Sequence, residues 1–258
     1  MGDYVYDQGW SEERTRLAGI EAMWDDGSHA LLTRCGAVPG ASVLEVGAGG
    51  GSLVRWLAEQ VGPRGRVLAT DIDVRFVTEL ASDTVEVVQA DVVNDDLPVG
   101  EFDVVHTRLL LEHLSERERV LDRLIAALRP GGCLVVEDYD WTAFGFDPGE
   151  ETERRATDAI LAFMTAAGFQ ADYGRRLVSS LSSRGLTDVA GEGRSRVIDS
   201  SHPGFSFFSL SFVQLAPAAV QAGLMTQEDA DEVGEKLTSS AQRVITPTLV
   251  AAFGRRPG

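Results

Sequence analysis

The sequence predicts an α/β fold organised around a mainly parallel sheet, and three observations predict it. Short apolar runs of strand length alternate with helix-patterned segments between residues 42 and 137. A glycine turn, Gly47-Ala48-Gly49-Gly50-Gly51, follows the first of those runs and opens a helix. Acidic residues then recur where consecutive strands end, at Glu45, Asp71 and Asp91. Alternation of this kind implies βαβ crossovers and hence parallel pairing.

The elements follow in order. Ser42-Val43-Leu44 begins a strand over 42–46, and Leu53 to Ala58 sit in a helical pattern over 52–61. A strand over 66–70 (Arg66 to Thr70), a helix over 73–81 and strands over 85–89 and 102–106 come next. The helix over 115–128 has the clearest limits: Ser115 and Glu118 stand at capping-box spacing, and Val120, Leu121, Leu124, Ile125 and Leu128 line one face. Arg129-Pro130-Gly131-Gly132 ends it before a strand over 133–137. Beyond that, 151–167 and 172–184 read as helices, 187–198 as a strand, 226–239 as a helix opened by Thr226 and Asp229, and 248–253 as a last strand. The expected organisation is one unit over 1–258, with its sheet in about 40–140, 187–198 and 245–254. A helical cap over 10–33 and a helical lid over 205–239 exceed what a sheet needs, and such segments commonly cover a ligand.

The 258 residues carry 23 Lys and Arg against 40 Asp and Glu, a formal charge of −17. A surface so acidic repels phosphate backbones and anionic lipid, which argues against nucleic acid or a membrane as partner. Cys35 and Cys133 fit no Cys-x-x-Cys or Cys/His spacing and read as packing residues in a reducing compartment. The start Met1-Gly2-Asp3-Tyr4 has no basic n-region, and no apolar run reaches membrane-spanning length. These features predict a cytoplasmic protein acting on a small molecule as monomer or homodimer.

The three acids fall at the carboxyl ends of successive strands, where open α/β sheets bind ligands. Asp71 follows the glycine turn by about 20 residues, the spacing at which a carboxylate takes ribose hydroxyls. A nicotinamide dinucleotide would want glycine where Ser52 stands. Glu45 and Asp91 instead favour an adenosine ligand that carries a cation and no diphosphate, which is S-adenosylmethionine.

The chain resembles the class I S-adenosylmethionine-dependent methyltransferases, in the group sharing a UbiE-like or type-11 methyltransferase domain. The resemblance runs over about 40–140, through Val43 to Gly51, Val67 to Asp73, Ala90-Asp91, Phe102 to Arg108 and Leu128 to Gly132. It implies a Rossmann-like, seven-stranded, mostly parallel sheet with one antiparallel strand, here 248–253. It also implies cofactor contacts by position. Glu45, Gly47, Ala48 and Gly49 would border the methionine moiety, Asp71 the ribose with Ile72 beside the adenine, and Asp91 the adenine amine with Val92 near the ring. The Thr107 backbone and the start of the following segment would close over the methionine end, and Arg16, in the lead-in Trp10 to Leu17, would pair with the cofactor carboxylate.

Methyl transfer from a sulfonium needs alignment, exclusion of water and a way to remove the acceptor proton; for a hydroxyl acceptor a base titrating near neutrality suits. Among His29, His106, His113 and His202, His113 is the candidate base, since it follows the fourth strand beside the expected methyl position; packing of the short helix is its alternative role. Arg108 stands where related amino-methylating enzymes show Asn, which points away from amide or base nitrogens. Arg108, Asp138, Tyr139 and Trp141 are the expected acceptor contacts at the sheet edge, although Tyr139 and Trp141 also suit an anchoring role. Phe208 and Phe212 of the run Phe205 to Phe212 either line an acceptor site or form a core stripe. With no Asp-Asn pair for a divalent ion, no metal is expected. The activity expected is methyl transfer to a small apolar or aromatic acceptor, O-directed, in specialised metabolism. The competing class is a methyltransferase-fold protein that keeps the cofactor as an electrostatic element for cyclisation or binding alone, and a nicotinamide-dependent reductase is the third.

Overall fold

The computed structural model describes residues 9–258; Met1 to Tyr4, read above for a leader, lie outside them. Helix α1 (Glu13–Cys35) leads through Gly36, at φ 118°, to β1 (Ser42–Val46), the glycine turn and α2 (Ser52–Val61). Strands β2 (Arg66–Asp71), β3 (Val85–Gln89) and β4 (Phe102–Arg108) follow, then α3 (Arg117–Ala127) and the long β5 (Leu128–Asp140). The remainder comprises β6 (Gly145–Asp147), α4 (Glu151–Ala166), α5 (Leu177–Ser183), β7 (Thr187–Arg194), β8 (Val197–Asp199), α6 (Phe205–Gln221), α7 (Gln227–Thr238), β9 (Arg243–Ile245) and β10 (Thr248–Arg255).

Seven strands form one sheet in the order β3-β2-β1-β4-β5-β10-β7. β10 runs antiparallel to both β5 and β7, while the β1, β2, β3, β4 and β5 pairings are parallel. The chain reverses its direction of travel across the sheet between β1 and β4, so a crevice opens outside their carboxyl ends.

Side chains alternate across each strand, and the two faces bury different layers. On one face Val43, Val67, Ala69, Val104, Cys133 and Val135 pack against α2 and the end of α1, where Cys35 joins them. On the other, Leu44, Val46, Val105, Leu134 and Val136 pack against α3 and α5 through Val120, Leu121, Leu124, Leu177 and Leu181. A third cluster joins Met23 and Trp24 of α1 to Phe205, Phe207 and Phe208 of α6 and to Val233 and Leu237 of α7. The cap and the two last helices therefore share a core of their own over one end of the sheet.

Four local expectations need correction. No α-helix forms over 73–81, where only Thr78–Leu80 makes a 3-10 turn. The Asp71 and Asp73 carboxylates accept from the amides of Asp73 and Arg75, a bonding pattern that competes with helix, and Val74, Val77 and Thr78 are β-branched. The Ser115–Glu118 capping box does not form. Arg184 takes the Glu118 carboxylate at 2.8 Å, and the helix starts at Arg117 without a side-chain cap. The strand expected to stop at 137 continues to Asp140. Finally, 187–198 is not one strand. The Arg196 amide donates to Thr246 Oγ1 at 3.0 Å and its Nε to the Met23 carbonyl at 3.0 Å, which turns the chain into β8. β8 belongs to a second sheet, β6-β9-β8, so residue 245 of the expected 245–254 sheet segment also lies there.

Candidate active site

The crevice is a cavity of about 370 Å³ lined by the glycine turn, the ends of β1, β2 and β4, and residues of α1, α4 and α6. Its floor is made by backbone. Gly47, Gly49 and Gly51 hold φ of 79°, 53° and 84°, a region that glycine enters without strain. At Gly50 a Cβ would stand 2.2 Å from Glu21 Oε1 and 2.8 Å from Arg14 Nη1, so α1 closes directly on the turn. Asp71 Oδ2 accepts from the Gly49 amide at 2.8 Å, tying the end of β2 to the turn. Burial raises the Asp71 carboxyl above its ordinary range, against the pull of those amides. Asp91 accepts from the Val93 amide at 2.9 Å and from Asn94 Nδ2 at 2.6 Å, and it faces the same cavity.

Glu45, Gly47, Ala48, Gly49, Asp71, Ile72, Asp91 and Val92 all line this space, with Ile72 at its rim, 52% exposed. Arg16 lines it too, although its guanidinium is held by Glu13 at 2.7 and 2.8 Å. Thr107 does not line it. Thr107 is fully buried within the sheet, and the cavity is closed there by the segment that follows it, Arg108, Leu109 and Leu110. The lining matches an adenosyl ligand bearing a cation: carboxylates at three strand ends, the backbone of the glycine turn and no lysine.

The far end of the cavity is formed by Glu112, His113, Trp141, Met164, Phe169 and Phe207. His113 follows a left-handed Leu109 (φ 54°) and a 3-10 turn, Leu111–His113, and its ring packs at 4.9 Å on Phe169. Burial, then the charges of Arg16 and Arg117, push the His113 pKa down to about 3, so the ring is neutral at pH 7 and is not a base poised near neutrality. Glu112 Oε1 lies 3.6 Å from His113 Nε2, and its carboxyl is raised well above the ordinary range by burial and by Asp138.

Several expected acceptor contacts lie elsewhere. Because β5 runs on to Asp140, Asp138 and Tyr139 are buried within the sheet instead of following it. Tyr139 Oη accepts from Trp24 Nε1 at 2.7 Å and anchors α1; it lines neither cavity. Asp138 likewise lines neither, and burial raises it to about 8. Arg108 borders the cavity, but its guanidinium turns inward to Ser28 at 3.0 Å and Asp25 at 2.9 Å. Phe208 and Phe212 line a smaller space of about 60 Å³ beside the main one, which shares Trp141, Met164 and Phe207 with it. Phe207, which touches both, was missed by the sequence reading, as were Met164 and Phe169; their proximity depends on how α4 and α6 fold over the sheet.

A buried polar cluster beneath Glu45 was also missed. His106 stands opposite Glu45 in the β1–β4 register. Its Nδ1 lies 2.7 Å from Glu45 Oε2 and its Nε2 3.2 Å from Glu137 Oε2. Ser28 donates to the same Glu137 oxygen at 2.5 Å, and Arg194 binds the other. Burial alone would lower the His106 pKa, but the Glu45 charge and the bonds to both carboxylates outweigh it and raise it to about 9. Glu137 is held down at about 2, burial being overcome by the His106 bond and by the charges of His106, Arg194 and Arg108.

A seven-stranded sheet with one antiparallel strand, and a glycine-and-acid cavity at its switch point, define a class I methyltransferase fold. Residues 44–134 match the model of the family described as "Methyltransferase domain". A methyltransferase of Strobilurus tenacellus, str2, is 34% identical over 153 residues, covering 57% of this chain and 54% of its own. The ubiquinone/menaquinone biosynthesis C-methyltransferase UbiE of Ectopseudomonas mendocina is 29% identical over 159 residues, covering 58% and 59%. Among solved structures, a putative methyltransferase of Bacillus halodurans superposes with TM-score 0.60 at 16% identity, over 90% of this chain and 100% of its own. The chain spans about half the length of the curated relatives it matches.

Proposed function

We propose that this protein is a cytoplasmic S-adenosylmethionine-dependent methyltransferase that methylates an oxygen of a small apolar or aromatic acceptor in specialised metabolism, the chain acting as one catalytic unit. One observation carries the reading: a single cavity is lined both by strand-end carboxylates with the glycine-turn backbone and by Trp141, Phe169 and Phe207. In this reading Asp71 holds the ribose hydroxyls, Asp91 and Val92 the adenine beside Ile72, and Glu45 with the Gly47–Gly49 backbone the methionine end. When bound, the sulfonium supplies an activated methyl group.

The chain's own contribution is alignment and exclusion of water, which supply of order 7–11 kcal/mol in favourable intramolecular cases. The aromatic end excludes water, and the adjoining space beside Phe208 and Phe212 takes a ring or apolar substituent. His113, neutral at pH 7, accepts the hydrogen bond of the acceptor hydroxyl and orients its lone pair. Calorimetric titration with S-adenosylmethionine, followed by transfer of labelled methyl to a panel of phenols, tests the reading. Saturable binding with label on a phenolic oxygen supports it. No heat and no thermal protection at saturating cofactor would refute it, and label on nitrogen or carbon would refute the O-directed part.

A further inference from the structure

The cluster beneath the cavity has no part in the chemistry above, yet it is built around a residue that lines the site. Glu45, 2% exposed, is the only member of the Glu45–His106–Glu137 series that reaches the cavity wall. A neutral imidazole has one N–H, so it could donate to one carboxylate while turning a lone pair on the other. Only imidazolium satisfies contacts of 2.7 and 3.2 Å to two carboxylates at once. The surrounding charges agree. Every element packed here contributes: Asp25 and Ser28 from α1, Glu45 from β1, Arg108 from β4, Glu137 from β5 and Arg194 from β7. Asp25, Glu45 and Glu137 surround the ring and its two neighbouring guanidiniums, and Glu192 stands 3.9 Å from Arg194, so around a neutral His106 the acids would outnumber Arg108 and Arg194.

We propose that protonated His106 is a positioning residue that fixes the Glu45 carboxylate toward the ammonium group at the methionine end of the bound cofactor. The proposal rests on the cofactor reading above. Glu45 Oε2 is committed to His106, which removes side-chain rotamer freedom before the ligand arrives and leaves Oε1 to meet a cation. Glu137 holds the other side of the ring, and Ser28 and Arg194 hold Glu137, so α1 and β7 brace a carboxylate across the sheet from them.

The test compares two probes on wild type and His106→Gln: S-adenosylhomocysteine, which has the α-amino acid, and 5′-methylthioadenosine, which has the same nucleoside without it. Glutamine keeps hydrogen-bonding capacity and drops the charge. The expected result is a loss of about tenfold or more for S-adenosylhomocysteine, in the range of one bond to a charged group. 5′-Methylthioadenosine should change less than twofold. Equal losses for both probes would mean a merely structural role, and no loss for either would mean none; both overturn the proposal. Independently of any variant, the His106 ring carbon resonance of the wild type should remain that of imidazolium at pH 8, and a neutral ring there overturns it. If wild type binds S-adenosylhomocysteine while these results go against His106, the methyltransferase reading stands alone. Failure of wild type to bind either probe sinks both.

Discussion

Glu137 and Asp138 are consecutive residues of one strand, equally buried, and their environments drive them in opposite directions. Glu137 faces α1, meets His106, Ser28 and Arg194, and is held ionised with a pKa of about 2. Asp138 faces the α3 side, where burial raises it to about 8 against the pull of the Glu112 and Leu110 amides and the more distant charge of Arg117. The same desolvation acts on both carboxyls. What differs is direct contact with cations: His106 and Arg194 bond Glu137, whereas Arg117 acts on Asp138 only through its charge, and that is decided by which face of the sheet each residue takes. One face was built to keep a charge beside the cavity, and the other to suppress one.

The sharpest way to break this comparison is to neutralise each acid. Glu137→Gln leaves buried His106 and half-buried Arg194 without their common anion and should lower stability by about 3–5 kcal/mol in urea unfolding at pH 7. Asp138→Asn replaces a group already neutral there and should cost less than about 1 kcal/mol. Equal costs would show that the two faces do not differ as described.

A second test follows stability with pH. His106, raised from 6.5 to about 9, contributes stability that is complete below pH 6.5 and is lost as pH rises through 9. Asp138, raised from 3.8 to about 8, likewise loses its contribution as pH rises toward 8. His113, lowered to about 3, and Glu137, lowered to about 2, act oppositely, and their contributions are complete above pH 6.5 and 4.5 respectively. Between pH 6.5 and 9 only losses remain among these four groups. Stability should therefore fall by on the order of 5 kcal/mol over that window, and by less in His106→Gln. A flat profile would contradict the charged state of His106.

Smaller effects sharpen the site itself. Asp71→Ala removes the carboxylate expected to hold two ribose hydroxyls, and calorimetry should register a cofactor Kd raised on the order of tenfold to a hundredfold. His113→Ala should slow turnover by less than about a hundredfold, the lower limit for a well-matched general base. A larger loss with cofactor affinity intact would restore His113 as a true proton acceptor.

How much was legible follows from how local each feature is. Strand β1, the glycine turn and α2 could be read because turn chemistry and amphipathic spacing act within about ten residues. Even so, Asp71 and Asp73 used their own neighbours to unmake the helix expected after them. The partnership of Glu45, His106 and Glu137 joins residues 61 and 31 positions apart through strand register. The alternation Val104, His106, Arg108 was nevertheless visible as a polar end on an otherwise apolar strand face. Asp138 and Tyr139 were misassigned because three further residues of strand carried them into the sheet.

The sequence by itself determined the α/β class, the order of the core elements and the acids that stand at the strand ends, since these depend on periodicity and short-range turns. Only the tertiary structure decided which carboxylates are ionised, which aromatic ring of α6 reaches the cavity and how the small second sheet assembles from three distant triplets. Those outcomes rest on contacts between segments far apart in the chain, and on a local dielectric that exists only once the chain has packed.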